Sequence, residues 1–223
     1  MPFDKTWDEV LRSRAWGRYP AEEVVRFIAR RFFAVPDRKQ IAILDLGCGG
    51  GAHTWFLARE GFSVTAVDGS AAAVDQTRKL LETEGCTADL SVCDFLDLRF
   101  PEASFDAVLD CAAIQHNPWA DVVSIHRHVH RILKPGGWFL GMMLNADSSA
   151  NGGGRIGSGR EVHGFHAGSN PTGVFVHLFS RDETDRLFED YEAVSVDTIQ
   201  RTEGGGATRL SQFAVTAQKR RLF

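Results

Sequence analysis

The sequence predicts an α/β fold: a doubly wound, mostly parallel sheet that finishes on an antiparallel hairpin. Three observations predict it. Residues 41–51 read Ile-Ala-Ile-Leu-Asp-Leu-Gly-Cys-Gly-Gly-Gly, an apolar run that turns through glycines into an apolar helix over 52–59. Strand, glycine loop and helix together form the opening unit of a nucleotide-binding domain. Residues 62–68, Phe-Ser-Val-Thr-Ala-Val-Asp, alternate and end on a carboxylate about twenty residues beyond the first glycine. Downstream, apolar runs at 88–94, 105–112 and 138–144 alternate with helical patterns at 71–84 and 119–133, the rhythm of a parallel sheet with crossover helices.

Taken in order, residues 4–14 and 20–33 read as two amphipathic helices, the second carrying Val24, Phe27, Ile28 and Phe32 at helical spacing. Between them Ala15-Trp16-Gly17-Arg18-Tyr19-Pro20 is a candidate lid, so residues 1–40 are expected as a helical lid over a domain spanning 41–223. In the glycine loop the chain must turn sharply and let a ligand approach its backbone, and the following helix offers free N–H groups. Gly47, Gly49 and Ala52 also satisfy the dinucleotide fingerprint, so the glycines alone leave a nicotinamide-dependent oxidoreductase open. Asp45 argues against it: a carboxylate two residues before the first glycine repels a pyrophosphate and suits a ligand bearing an ammonium group.

Asp45-Leu-Gly47-Cys-Gly49-Gly-Gly51 resembles the first motif of the class I S-adenosylmethionine-dependent methyltransferases, Asp/Glu-x-Gly-x-Gly-x-Gly, at every fixed position. The resemblance runs from about residue 41 to 219. It implies a Rossmann-like sheet of seven strands in the order 3-2-1-4-5-7-6, with S-adenosylmethionine as cofactor. It also implies that Asp45, Gly47, Cys48 and Gly49 hold the methionyl part. Asp68, with Gly69 beside it, is the expected ribose ligand, at the spacing where an acid accepts from both hydroxyls. Asp94 and Phe95 match the residues that meet the adenine amino group and ring, with Cys93 adjoining. Related enzymes close the pocket with an N-terminal segment, which makes Arg18 a candidate for the cofactor and Tyr19 for the acceptor.

Residues 105–112 form the central fourth strand, with Asp106 at its start and Asp110 and Cys111 at its carboxyl end, beneath the ligand crevice. The loop over 112–118 carries His116, the candidate general base; His163, His166 and His177 are its competitors. Amino-directed DNA methyltransferases show Asp/Asn-Pro-Pro-Tyr/Phe at this strand end. Here only Asn117-Pro118-Trp119 occurs, several residues late. The helix at 119–133 carries His126 and His130 one turn apart without an evident third ligand, so both are expected as solvated or helix-end residues. Leu-Lys-Pro-Gly-Gly at 133–137 reads as a sharp turn into the fifth strand.

Residues 145–173 are glycine-rich and lack periodicity. They are expected as a long irregular flap that binds the acceptor through Arg160, His163 and His166. Ser180-Arg-Asp-Glu183 is a capping box, and 191–201 and 210–218 alternate as two strands joined by a Gly-rich turn.

The 223 residues suit one domain, and a net charge of −4 offers no basic field for nucleic acid. No run of about 20 apolar residues and no N-terminal apolar core appears, so the expectation is a cytoplasmic protein acting on a small molecule. Cys48, Cys86, Cys93 and Cys111 form no Cys-x-x-Cys pair, so no metal site is expected. Together these features point to methyl transfer to a small acceptor, with oxygen as the expected target. A module that binds the cofactor without catalysis is the alternative.

Overall fold

The computed structural model describes residues 5–13, 17–149, 155–156, 160–165 and 174–221. The main sheet comprises β1 (Ala42–Leu46), β2 (Ser63–Asp68), β3 (Asp89–Val92), β4 (Phe105–Cys111) and β5 (Leu133–Leu144). Two further strands, β9 (Tyr191–Glu203) and β10 (Thr208–Lys219), complete it. Its order is β3-β2-β1-β4-β5-β10-β9, parallel up to β5 and antiparallel beyond, as the resemblance implied. Strand order reverses at β1, which pairs with both β2 and β4. Leu46 lies opposite Val67 on one side and Asp110 on the other, so the carboxyl ends of three strands open side by side into one crevice.

Helices cover both faces. Adjacent residues of one strand serve opposite layers: Leu44 and Leu46 pack with α5 (Trp119–Ile132), and Ile43 packs with α2 (Glu22–Phe32) and α3 (Ala52–Arg59). Each fully buried Ile or Leu here contributes about 1.5–3 kcal/mol of apolar burial. Ser70 caps α4 (Ala71–Glu84) by accepting from the Ala73 N–H, and Gly85 ends that helix in the left-handed conformation. The capping box at Ser180 and Glu183 is complete and opens α6 (Arg181–Leu187).

Three features differ from the expectation. The stretch expected as an irregular flap contains β6 (Arg155–Ile156) and β7 (Glu161–Phe165), which join β8 (Val174–His177) in a three-stranded antiparallel sheet. Val162, Val174 and Val176 bury against Leu144 and Leu210, a partnership between distant parts of the chain that no local pattern shows. His126 is buried, not solvated. It follows Val122 by one turn, on the face that meets the sheet, and packs on Phe139 and Phe188. Neither ring nitrogen has a hydrogen-bond partner, and burial holds its pKa down to about 4. The turn expected at 133–137 is an irregularity within β5: pairing jumps from Leu133 to Trp138 while the partner strand advances only from Phe105 to Ala107.

The first helix, α1 (Thr6–Ser13), falls within the expected 4–14. Asp8 accepts hydrogen bonds from the Ser70 hydroxyl and, at 3.4 Å, from the Ala72 N–H, and Gln76 donates to the Leu11 carbonyl. These bonds lay α1 across the start of α4. Trp7 then packs against the cluster formed by the second sheet. Among the described residues no helix is long and apolar enough to cross a membrane.

Candidate active site

A cavity of about 370 Å³ opens over the carboxyl ends of β1, β2 and β4. Its floor is the glycine loop. Gly47 has φ +85°, and a Cβ built there would sit 2.2 Å from that of Ala113, so only glycine lets this loop meet the loop after β4. The N–H groups of Gly47 and Cys48 both donate to the Val67 carbonyl, at 2.8 and 3.0 Å, which ties the loop to β2. A Cβ at Gly49 would meet nothing within 4 Å, so that backbone faces open space.

Asp68 lines the cavity beside Gly69. One of its oxygens accepts from the Gly49 N–H at 3.0 Å and the other from the Ser70 N–H at 2.9 Å. Burial raises its pKa, and the two donors oppose that rise. Each oxygen keeps a second lone pair for a ligand. Asp94 and Phe95 line the wall; Asp94 also caps the next turn by accepting from the Leu96 N–H at 2.9 Å. Cys48, Cys93 and Cys111 line it too, and burial pushes all three thiols up, so they remain neutral walls.

Two of the expected cofactor carboxylates lie under this surface, not on it. Asp45 is buried behind the loop, where it accepts from the Thr54 hydroxyl at 2.6 Å, and desolvation raises its pKa. Asp110 is fully buried. One oxygen accepts from the N–H groups of Ala113 and Ile114, at 2.9 and 3.0 Å, and the other has no partner. Burial therefore raises its pKa to about 7. Asp110 braces the short turn Ile114–His116 from below.

That turn supplies the opposite wall. His116 and Gln115 line the cavity with Asn117, Tyr19, and Trp7 and Leu11 of α1. The His116 ring meets Trp7 edge-on at 4.5 Å, and its Nδ1 lies 2.7 Å from the Phe175 carbonyl of β8. The other expected contacts lie elsewhere. Arg18 pairs with Glu84 on the surface, because α4 places that carboxylate within its reach. Arg160 pairs with Glu183 at 3.0 Å, drawn by a buried carboxylate that also meets His177 at 3.3 Å. His163 is exposed and edge-on to Phe175. None of these four lines the cavity, and His166 lies outside the described residues. Among the described residues no group of three His, Cys, Asp or Glu could hold a metal ion.

Residues 43–137 match the family described as a methyltransferase domain. Over this stretch, under half of the chain, the sequence is that of a methyltransferase domain, in line with the resemblance carried by Asp45 to Gly51. Among curated relatives, the ubiquinone biosynthesis O-methyltransferase of Paramagnetospirillum magneticum is 38% identical over 110 residues, 49% of this chain and 43% of that protein. The sterol 24-C-methyltransferase erg6 of Aspergillus fumigatus is 31% identical over 105 residues, 46% and 27%. The chain spans under half the length of these curated relatives. A solved S-adenosylmethionine-dependent methyltransferase from Methanosarcina mazei shares the fold, with TM-score 0.65 and 21% identity over 81% of this chain and 93% of that one.

The site of this methyltransferase domain fits the cofactor on its own geometry. The open space over Gly49 admits a ligand against the backbone, and Asp68 keeps free lone pairs on its exposed side. Sequence reasoning missed Trp7, Leu11 and Gln115. Gln115 carried a faint signal, a neutral amide beside the candidate base. Trp7 carried none, since an aromatic on a short amphipathic helix reads as core.

Proposed function

We propose that the chain moves the methyl group of S-adenosylmethionine to a hydroxyl oxygen of a small acceptor. The cofactor, when bound, supplies a sulfonium methyl that is electrophilic without further activation. The chain's own residues then bind, align and exclude water for an in-line displacement. Asp68 takes the ribose hydroxyls, Asp94 and Phe95 the adenine, and the backbone from Gly47 to Gly49 the methionyl end. Asp45 supports the loop from beneath, held by the Thr54 hydroxyl, and α1 closes over the top with Trp7 and Leu11.

The observation that carries the oxygen reading is the state of His116. Its ring lines the cavity, and because a carbonyl can only accept, the Phe175 carbonyl 2.7 Å from Nδ1 favours a hydrogen there, the orientation of a base that acts through Nε2. An attacking hydroxyl needs such a base, whereas a thiolate or carboxylate acceptor needs little or none. The net charge of −4 favours a small acceptor over a nucleic acid.

The test is release of S-adenosylhomocysteine with a panel of phenols, catechols, carboxylates and amines. Turnover is expected with the hydroxyl compounds. His116→Ala is expected to lower kcat by about 10²-fold or more while S-adenosylhomocysteine affinity, read by calorimetry, stays within about twofold. Transfer confined to amines, or an undiminished His116→Ala rate, would sink the proposal.

A further inference from the structure

The methionyl end of the cofactor carries a carboxylate, and a carboxylate set against a cavity wall needs hydrogen-bond donors. The glycine loop has spent most of its own. The N–H groups of Gly47 and Cys48 donate to the Val67 carbonyl, that of Gly49 to Asp68, and that of Gly51 to the Cys48 carbonyl. Arg18, the arginine expected at the cofactor, pairs with Glu84 off the cavity. Asp45 can only accept or repel, and it already holds the hydroxyl and backbone N–H of Thr54.

His53 stands just past the loop, in the first turn of α3, and lines the cavity beside Gly49, Gly50 and Ala52. A backbone N–H can only donate, and that of Ala21 lies 3.3 Å from His53 Nε2. Nε2 is therefore the acceptor, and the neutral ring carries its hydrogen on Nδ1. Among the described residues Nδ1 has no hydrogen-bond partner. The ring is half-buried and pinned through Ala21, so its donor is set in place before a ligand arrives.

We propose that His53 holds the methionyl carboxylate of the cofactor, donating to it from Nδ1. This rests on the placing of the methionyl end above and is independent of the acceptor.

The test is calorimetric titration of the full chain with two ligands. One is S-adenosylhomocysteine; the other is the 3-aminopropyl thioether of 5′-thioadenosine, which keeps adenine, ribose and ammonium and lacks the carboxylate. His53→Phe and His53→Asn both lose the acceptor for Ala21, but only Asn keeps an N–H donor near the place of Nδ1. His53→Phe is expected to lower S-adenosylhomocysteine affinity about tenfold or more and to leave the decarboxylated ligand within about threefold. His53→Asn is expected to stay within about threefold for both. An equal loss for the two ligands in His53→Phe, no loss for either, or a His53→Asn as weak as His53→Phe would overturn the proposal. If His53→Phe does not fold, His53→Ala takes its place with the same expected outcome. A wild-type chain that binds neither ligand would overturn the cofactor reading and this proposal with it, whereas binding of both with an equal loss removes only the role of His53.

Discussion

The two walls of the cavity are built on different scales. On the cofactor side, each working group stands at the end of its own strand: the glycine loop after β1, Asp68 at the tip of β2, and Asp94 just past β3. Parallel pairing in register brings them together. On the acceptor side, Trp7 and Tyr19 come from the N-terminal segment, Gln115 and His116 from the turn after β4, and the Phe175 carbonyl from the second sheet. Those parts meet only because α1 latches onto α4 and the second sheet packs on Leu144 and Leu210. A site with one strand per ligand group rides on the sheet. A site assembled from three separate elements depends on packing among them, and should fail first when that packing is disturbed.

The strongest test of this contrast lies at Asp110, which joins the two sides. Its folded pKa of about 7 stands above the ordinary 3.8, so the fold binds this proton more tightly than the unfolded chain. The resulting stability is present below pH 3.8 and is lost as pH rises to about 7, by at most about 4 kcal/mol. Asp110→Asn keeps an acceptor for Ala113 and Ile114 without the charge, so its melting temperature should vary less with pH over that range. An equal pH slope in both proteins would show that Asp110 does not carry the effect. Next comes Asp68→Ala, which should weaken S-adenosylhomocysteine binding by about 2–3 kcal/mol in calorimetry while the fold persists. A loss of acceptor binding alone would break the division of labour between the walls.

Trp7→Ala should cost about 1–2 kcal/mol, seen as a higher acceptor KM with S-adenosylhomocysteine affinity nearly unchanged. Loss of both affinities would mean that α1 closes over the whole cavity and the two walls are not separable. The smallest effect is expected for Arg18→Ala. Its pair with Glu84 is partly exposed and worth under about 1 kcal/mol, and Arg18 stands off the cavity. A tenfold or greater drop in S-adenosylhomocysteine affinity would return Arg18 to the cofactor site.

Much of the fold was legible in the chain because its signals are local. A branched run, a glycine loop and an apolar helix specify one unit, and caps such as Ser70 and Ser180 mark where helices begin. The positions of Gly47, Gly49, Asp68, Asp94 and Phe95 around one cavity follow once the sheet order is known. Burial was harder to read. His126 looked solvated because histidine is polar, although its spacing from Val122 put it on the inward face.

By itself, the sequence determined the order of strands and helices and the set of strand-end residues, because both depend on neighbours within a few positions. Only the tertiary structure decided that Asp45 and Asp110 lie beneath the cavity and not in it. It also decided that Arg18 and Arg160 are held by Glu84 and Glu183, and that Trp7, Gln115 and the Phe175 carbonyl surround His116. A side chain's partner is whichever group the fold brings within about 3 Å, and that distance is set by packing between segments that are remote in the chain.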